Sequence, residues 1–130
     1  RTQAERPIFV GDRLDTDIEG AVNAGIDSLM VFSGAHGKKD LVAAGVQAHP
    51  SYIGADVSAL LRPPRIATLD QGEACCGTQQ ATIDEGAIRL LTRPQGVEEH
   101  LDALWAVTQM AWADPELAVD DALAQLTLLD

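Results

Sequence analysis

The stretch from Ile8 to Phe32 restricts this chain more than any other. Ile8-Phe9-Val10 is a short apolar run ending in Gly11-Asp12. It suits a buried parallel strand, which is apolar on both faces. Thr16-x-x-Glu19 then matches a capping box, and Ile18, Ala21 and Val22 give the following helix an apolar side. Gly25 suits the left-handed residue that ends a helix. Leu29 to Phe32 is the next buried strand, closed by Ser33-Gly34. Strand, helix and strand at this spacing make a βαβ unit, whose crossover is almost always right-handed.

The pattern continues more weakly. Lys39 to Ala44 suits a short helix stopped by Gly45, Tyr52-Ile53 a very short third strand, and Asp56 a cap for the turn Val57 to Leu61. Arg62-Pro63-Pro64-Arg65 interrupts this grammar. Consecutive prolines forbid helix and reject a central strand, so a domain boundary is expected here, dividing residues 1–62 from residues 63–130. Beyond it lie strand-like segments at Ile66–Leu69, Ala74–Ile83 and Ala87–Thr92, with Asp70-Gln71-Gly72 and Asp84-Glu85-Gly86 as hairpin connections. Val97, Leu101, Leu104, Trp105, Thr108, Ala111 and Trp112 recur on one face of a helix from about Val97 to Ala113, with both tryptophans expected in the core. Asp114-Pro115-Glu116 reads as the cap and first turn of a last helix running to about Leu126. The expected class is α/β: part of a Rossmann-like core with a parallel sheet, followed by a small α+β domain.

Residues 10–20, VGDRLDTDIEG, crowd Asp12, Asp15, Asp17 and Glu19 into one turn. In a parallel α/β sheet, ligands bind beyond the carboxyl ends of the strands. Asp12 stands at such an end, and Asp17 lies in the first helical turn, where the helix dipole favours a carboxylate. Two carboxylates on one rim suit a hard divalent cation, with magnesium as the default. Solvated helix-start acids are the competing explanation, and Asp15 and Glu19 fit it better than Asp12 does. A net charge of −11 argues against nucleic acid or an anionic membrane as partner. It leaves room for an anionic small substrate, because a divalent cation inverts the local field. The adjacent Cys75 and Cys76 make no disulfide framework and fit a reducing cytoplasm. The opening Arg1-Thr2-Gln3, without methionine and with a strand by Pro7, leads us to expect a piece of a longer polypeptide.

Val10-Gly11-Asp12-Arg13-Leu14-Asp15-Thr16-Asp17-Ile18-Glu19-Gly20-Ala21, with Asn23-Ala24-Gly25 and Ser28 to Gly34, closely resembles the fourth motif of haloacid-dehalogenase (HAD) superfamily phosphatases. Within that superfamily it resembles class IIA, which includes nitrophenylphosphatase-like, phosphoglycolate and glycerol-phosphate phosphatases. The resemblance extends through Pro50-Ser51-Tyr52-Ile53 to Asp56-Val57. It implies the C-terminal part of a magnesium-dependent enzyme hydrolysing a small phosphomonoester such as glycerol phosphate. Asp12 would help bind the metal and Asp17 would support the site. The family's nucleophile and acid/base aspartates belong to a DxDGT-type motif, which this chain lacks. Lys38 and Lys39 follow the acidic motif, whereas the family lysine precedes it. The resemblance therefore implies no catalytic residue in this chain, which alone is expected to be inactive. Its expected partners are the missing N-terminal core and cap segment, with homo-oligomers open. Substrate-binding residues are not assignable.

The alternative is that residues 65–130 are a noncatalytic regulatory or oligomerisation module of such an enzyme, folded independently of the core. Their order of strands then helices is loosely similar to part of an acetyltransferase-like fold, without an evident acetyl-coenzyme A pyrophosphate loop. The loop Ser33–Asp40 is expected to be polar and mobile, although His36 or its lysines would be near the rim. His49 and His100 are expected to be solvated, and the cysteines to be packed strand residues rather than reactive thiols.

Overall fold

The computed structural model describes residues 7–32 and 36–129. Expectations placed on residues 1–6, on Ser33, Gly34 and Ala35, and on Asp130 lie outside the described residues. Three parallel strands, β1 (Ile8–Gly11), β2 (Asp27–Val31) and β3 (Tyr52–Gly54), form one sheet in the order β1-β2-β3. Four antiparallel strands, β4 (Ala67–Asp70), β5 (Glu73–Cys76), β6 (Gln79–Asp84) and β7 (Ala87–Leu90), form a second sheet as a meander. Helices α1 (Glu19–Ala24) and α2 (Lys38–Ala43) belong to the first half, and α3 (Gly96–Ala113) and α4 (Asp120–Ala124) to the second. This is the expected α/β class. Among the described residues no helix is long and apolar enough to cross a membrane.

Burial is unequal across the parallel sheet. Central β2 is buried from Ser28 to Val31. On edge strand β1, Ile8 and Phe9 remain 40% and 45% exposed, so the expectation of a strand buried on both faces is corrected. An apolar edge strand of this kind is a template for further pairing.

The start of the first helix also differs from the expected capping box. Thr16 lies inside a π-helical turn, Leu14–Ile18, that leads into α1. Arg13 occupies the N-cap position, and its carbonyl accepts from both Asp17 and Ile18. Gly25, with φ of 72°, ends α1 as expected. Gly37 N–H donates to the Asp40 carboxylate (2.8 Å), fixing the start of α2 one residue before the expected Lys39.

In the second half, the expected single segment Ala74–Ile83 is two strands. Cys76 pairs with Gln79, leaving Gly77-Thr78 as a two-residue turn with φ of 60° at Gly77. The other two hairpins turn at Gln71-Gly72 and Glu85-Gly86, with positive φ at both central residues of each, as a type I′ turn requires. The last helix is much shorter than expected. Asp114 does cap locally, accepting from Glu116 N–H (3.1 Å), but the chain then runs beside β7. Ala118 N–H donates to Gly86 and Ile88 N–H to Ala118, both at 2.9 Å. That extended pairing consumes the backbone a helix from Pro115 would have used.

α3 is buried on more than the one expected face, while Val97 at its start stays exposed. Leu101, Leu104, Trp105, Val107 and Met110 join Leu14, Ile18, Met30, Leu41 and Ile53 of the first half in one continuous core. Trp105 and Trp112 meet edge to face at 5.7 Å. His49, expected in solvent, stacks on Trp112 at 3.6 Å and donates from Nε2 to the Ala44 carbonyl. His100, also expected in solvent, is buried and donates from Nδ1 to the Gly96 carbonyl (2.8 Å). Lys38 is not a loop residue near the rim either. It is 5% exposed and donates to the Leu126 carbonyl (2.8 Å) beyond α4.

Candidate functional site at the acidic turn

The acidic turn begins where β1 ends. Gly11 is buried and directly precedes Asp12, which is partly buried. A Cβ on Gly11 would stand 2.4 Å from Cβ and 2.6 Å from Oδ2 of Asp17. The Asp17 carboxylate therefore lies against the backbone at the strand end, where only glycine leaves room. Arg13 N–H donates to Asp17 Oδ2 (3.3 Å), which turns that carboxylate back over the turn. Asp12 and Asp17 thus share the carboxyl end of β1.

The other acids go elsewhere. Asp15 takes both ends of the Arg13 guanidinium, Nε at 3.1 Å and Nη2 at 2.9 Å. That hydrogen bond holds the Asp15 carboxyl below its ordinary range although the side chain is exposed. Glu19 is exposed in the first turn of α1. Among the described residues no three His, Cys, Asp or Glu side chains converge as a metal site. Two carboxylates with a glycine cradle fit one side of a hard-cation shell, with the remaining ligands to come from water or from other groups.

Two residues gain importance from the fold. His36 joins the turn: Leu14 N–H donates to its Nδ1 (2.8 Å). Arg65 joins the halves: its Nε donates to Asp102 (2.9 Å), its Nη1 to the Ile53 carbonyl of β3 (3.2 Å), and its Nη2 pairs with Glu98. Sequence spacing carried no signal for Arg65, whose partners on α3 lie more than thirty residues away. Beside it a cavity of about 620 Å³ runs between the halves, lined by Ile8, Tyr52, Leu60, Pro63, Ile66 and Cys76 among others. A second of similar size lies by His49, Trp112, Lys39 and Asp120. Neither is lined by Asp12 or Asp17.

Residues 1–60 match the HAD-hydrolase-like family. The chain is 53% identical over 53 residues to D-glycerol 3-phosphate phosphatase of Mycobacterium tuberculosis, covering 41% of this chain and 15% of that protein. It is 38% identical over 61 residues to phosphoglycolate phosphatase 2 of Arabidopsis thaliana, covering 47% and 20%. Among solved structures it is similar to glycerol phosphate phosphatase of M. tuberculosis in complex with magnesium, with a TM-score of 0.69 and 31% identity. That match covers 93% of this chain and 36% of the other, and so takes in both sheets. The calcium complex gives a TM-score of 0.70, with coverage of 95% and 37%. The chain thus spans about a third of the solved structures it matches, and less of its curated relatives. Residues 1–60 thus match the HAD-hydrolase-like family, and the chain as a whole is similar in fold to part of a glycerol phosphate phosphatase.

Proposed function

We propose that this chain is the metal-binding part of a magnesium-dependent HAD phosphatase acting on a small phosphomonoester, with glycerol phosphate the first substrate to try. The observation that supports the reading is the Gly11 cradle: the 2.4 Å approach that excludes a Cβ packs Asp17 against the backbone at the end of β1, next to the residue that precedes Asp12. The similarity to phosphatases named for glycerol phosphate and phosphoglycolate supports the substrate class. Residues 1–62 are then the C-terminal part of the hydrolase core, and residues 63–130 a small α+β unit packed on it. The exposed apolar edge at Ile8 and Phe9 is where further core strands would pair.

Asp12 would be a direct ligand and Asp17 a supporting one, held by Arg13 N–H. Magnesium bound there would neutralise charge on the phosphoryl oxygens. The chain's own contribution would be to present both carboxylates at the end of β1, with Asp17 held in place before the metal binds. Nucleophile and acid/base groups are assigned to a segment other than this one.

The test is hydrolysis of an aryl phosphate with magnesium, combined with the intact mass of the active species. The reading expects the 130-residue chain to be inactive alone, and activity to accompany a species in which it is joined to or assembled with a further segment. Asp12→Asn should abolish that activity. Turnover by the lone chain, or full activity in Asp12→Asn, would overturn it.

A further inference from the structure

We infer that His36 is a positioning residue for the acidic turn, acting through the backbone between the two carboxylates. A helix start leaves its first N–H groups without intrahelical partners. The usual remedy is a Ser, Thr, Asp or Asn at the N-cap. Here the N-cap is Arg13, whose side chain has no acceptor and makes no cap hydrogen bond. Thr16, the residue of the right type, is displaced into the π-helical turn. The orphan N–H of Leu14 is instead taken by His36 Nδ1 at 2.8 Å, from 22 residues further along the chain.

An N–H can only donate, so Nδ1 is the unprotonated nitrogen and Nε2 carries the ring proton. Leu14 lies between Asp12 and Asp17 in the turn and is only 5% exposed in the core. The turn is therefore held from within by the Leu14 side chain and from the rim by His36. The polypeptide that leaves β2 is thereby tied to the polypeptide that leaves β1, and both loops face the same strand ends. His36 sets the path on which the carboxylates sit without itself being a ligand through Nδ1.

The consequence for metal affinity rests on the magnesium reading of Asp12 and Asp17; the hydrogen bond does not. The experiment compares the 130-residue chain with His36→Ala, His36→Asn and His36→Gln by amide NMR. Asparagine places an oxygen acceptor near the position of Nδ1, whereas glutamine places it nearer that of Nε2. Exchange of the Leu14 amide should quicken about tenfold in His36→Ala, as expected for one lost backbone hydrogen bond. It should return towards wild type in His36→Asn and not in His36→Gln. Magnesium titration followed at the Gly11–Ile18 amides should weaken several-fold in His36→Ala and recover in His36→Asn. A purely structural cap would lower the melting temperature and leave the magnesium titration unchanged, which would overturn the assignment. So would Asn and Ala variants that behave alike. If wild type gives no magnesium response at these amides, the magnesium reading falls. The His36 assignment is then decided by amide exchange: rescue by Asn upholds it, and uniform exchange in all variants refutes it.

Discussion

Arg65→Met tests whether the joint between the two halves is a structural necessity. Arg65 is 12% exposed and Asp102 23%, whereas Glu98 is 45% exposed. Removing one partner of a buried pair costs about 3–5 kcal/mol, and an exposed pair contributes less than about 1 kcal/mol. Glu98 can rehydrate, so its share is small. Asp102 loses an ion-paired hydrogen bond and the Ile53 carbonyl a charge-assisted one in a half-dry site, which places the total at about 2–3 kcal/mol. For a domain of this size that corresponds to a melting temperature lower by about 8–12 °C, read by circular dichroism. The pH dependence has a definite sign. Burial already raises the Asp102 pKa above the ordinary carboxylate value, outweighing the opposing pull of Arg65. A carboxyl group with a raised folded pKa costs stability above that pKa, and the cost fades as pH falls towards the unfolded value. Losing Arg65 raises it further, so the penalty of Arg65→Met should be largest above the raised Asp102 pKa and shrink as pH falls through it. A fall of under about 3 °C, or a penalty that does not vary with pH, would refute this account of the joint.

Two further predictions follow from single contacts. Gly11→Ala forces a Cβ to within 2.4 Å of Asp17, so it should cost about 1–3 kcal/mol of stability and weaken magnesium binding by displacing that carboxylate. Unchanged affinity in a magnesium titration would show that the cradle does not matter. The Cys76 thiol is pushed up to about 12, first by burial and then by Asp102, whereas Cys75 is partly exposed. A thiol-directed alkylating reagent at neutral pH should therefore label Cys75 well before Cys76. Equal labelling in fragment mass spectra would contradict the structure.

What could be read from the sequence is what depends on neighbours in sequence. The I′ turns at Gln71-Gly72 and Glu85-Gly86 and the long helix α3 follow from local chemistry and periodicity. The turn at Gly77-Thr78 escaped because it carries one glycine inside an otherwise strand-like run. The helix from Pro115 failed although its cap forms, because pairing of Ala118 with β7 is a tertiary gain that local propensity does not contain. The local sequence places His49 and His100 in solvent and Lys38 in a polar loop near the rim. Their burial depends on Trp112, on the turn at Gly96 and on the Leu126 carbonyl respectively.

The site divides in the same way. The approach of Asp17 to Gly11 is local, because strand end, turn and first helical residues are consecutive. The turn's supports are not legible: His36 reaches Leu14 across 22 residues and Arg65 reaches Asp102 across 37. The double proline marks a change in secondary-structure grammar, from parallel strands with helices to a meander. It does not mark a break in packing, since Leu14, Met30 and Ile53 share one cluster with Leu104 and Met110. A boundary drawn from backbone chemistry therefore separates two kinds of architecture, while the side chains of α3 and Arg65 hold them as one. The strand end that presents Asp12 is steadied from both sides of that boundary, because β3 is gripped by Arg65 and β2 lies between β3 and β1.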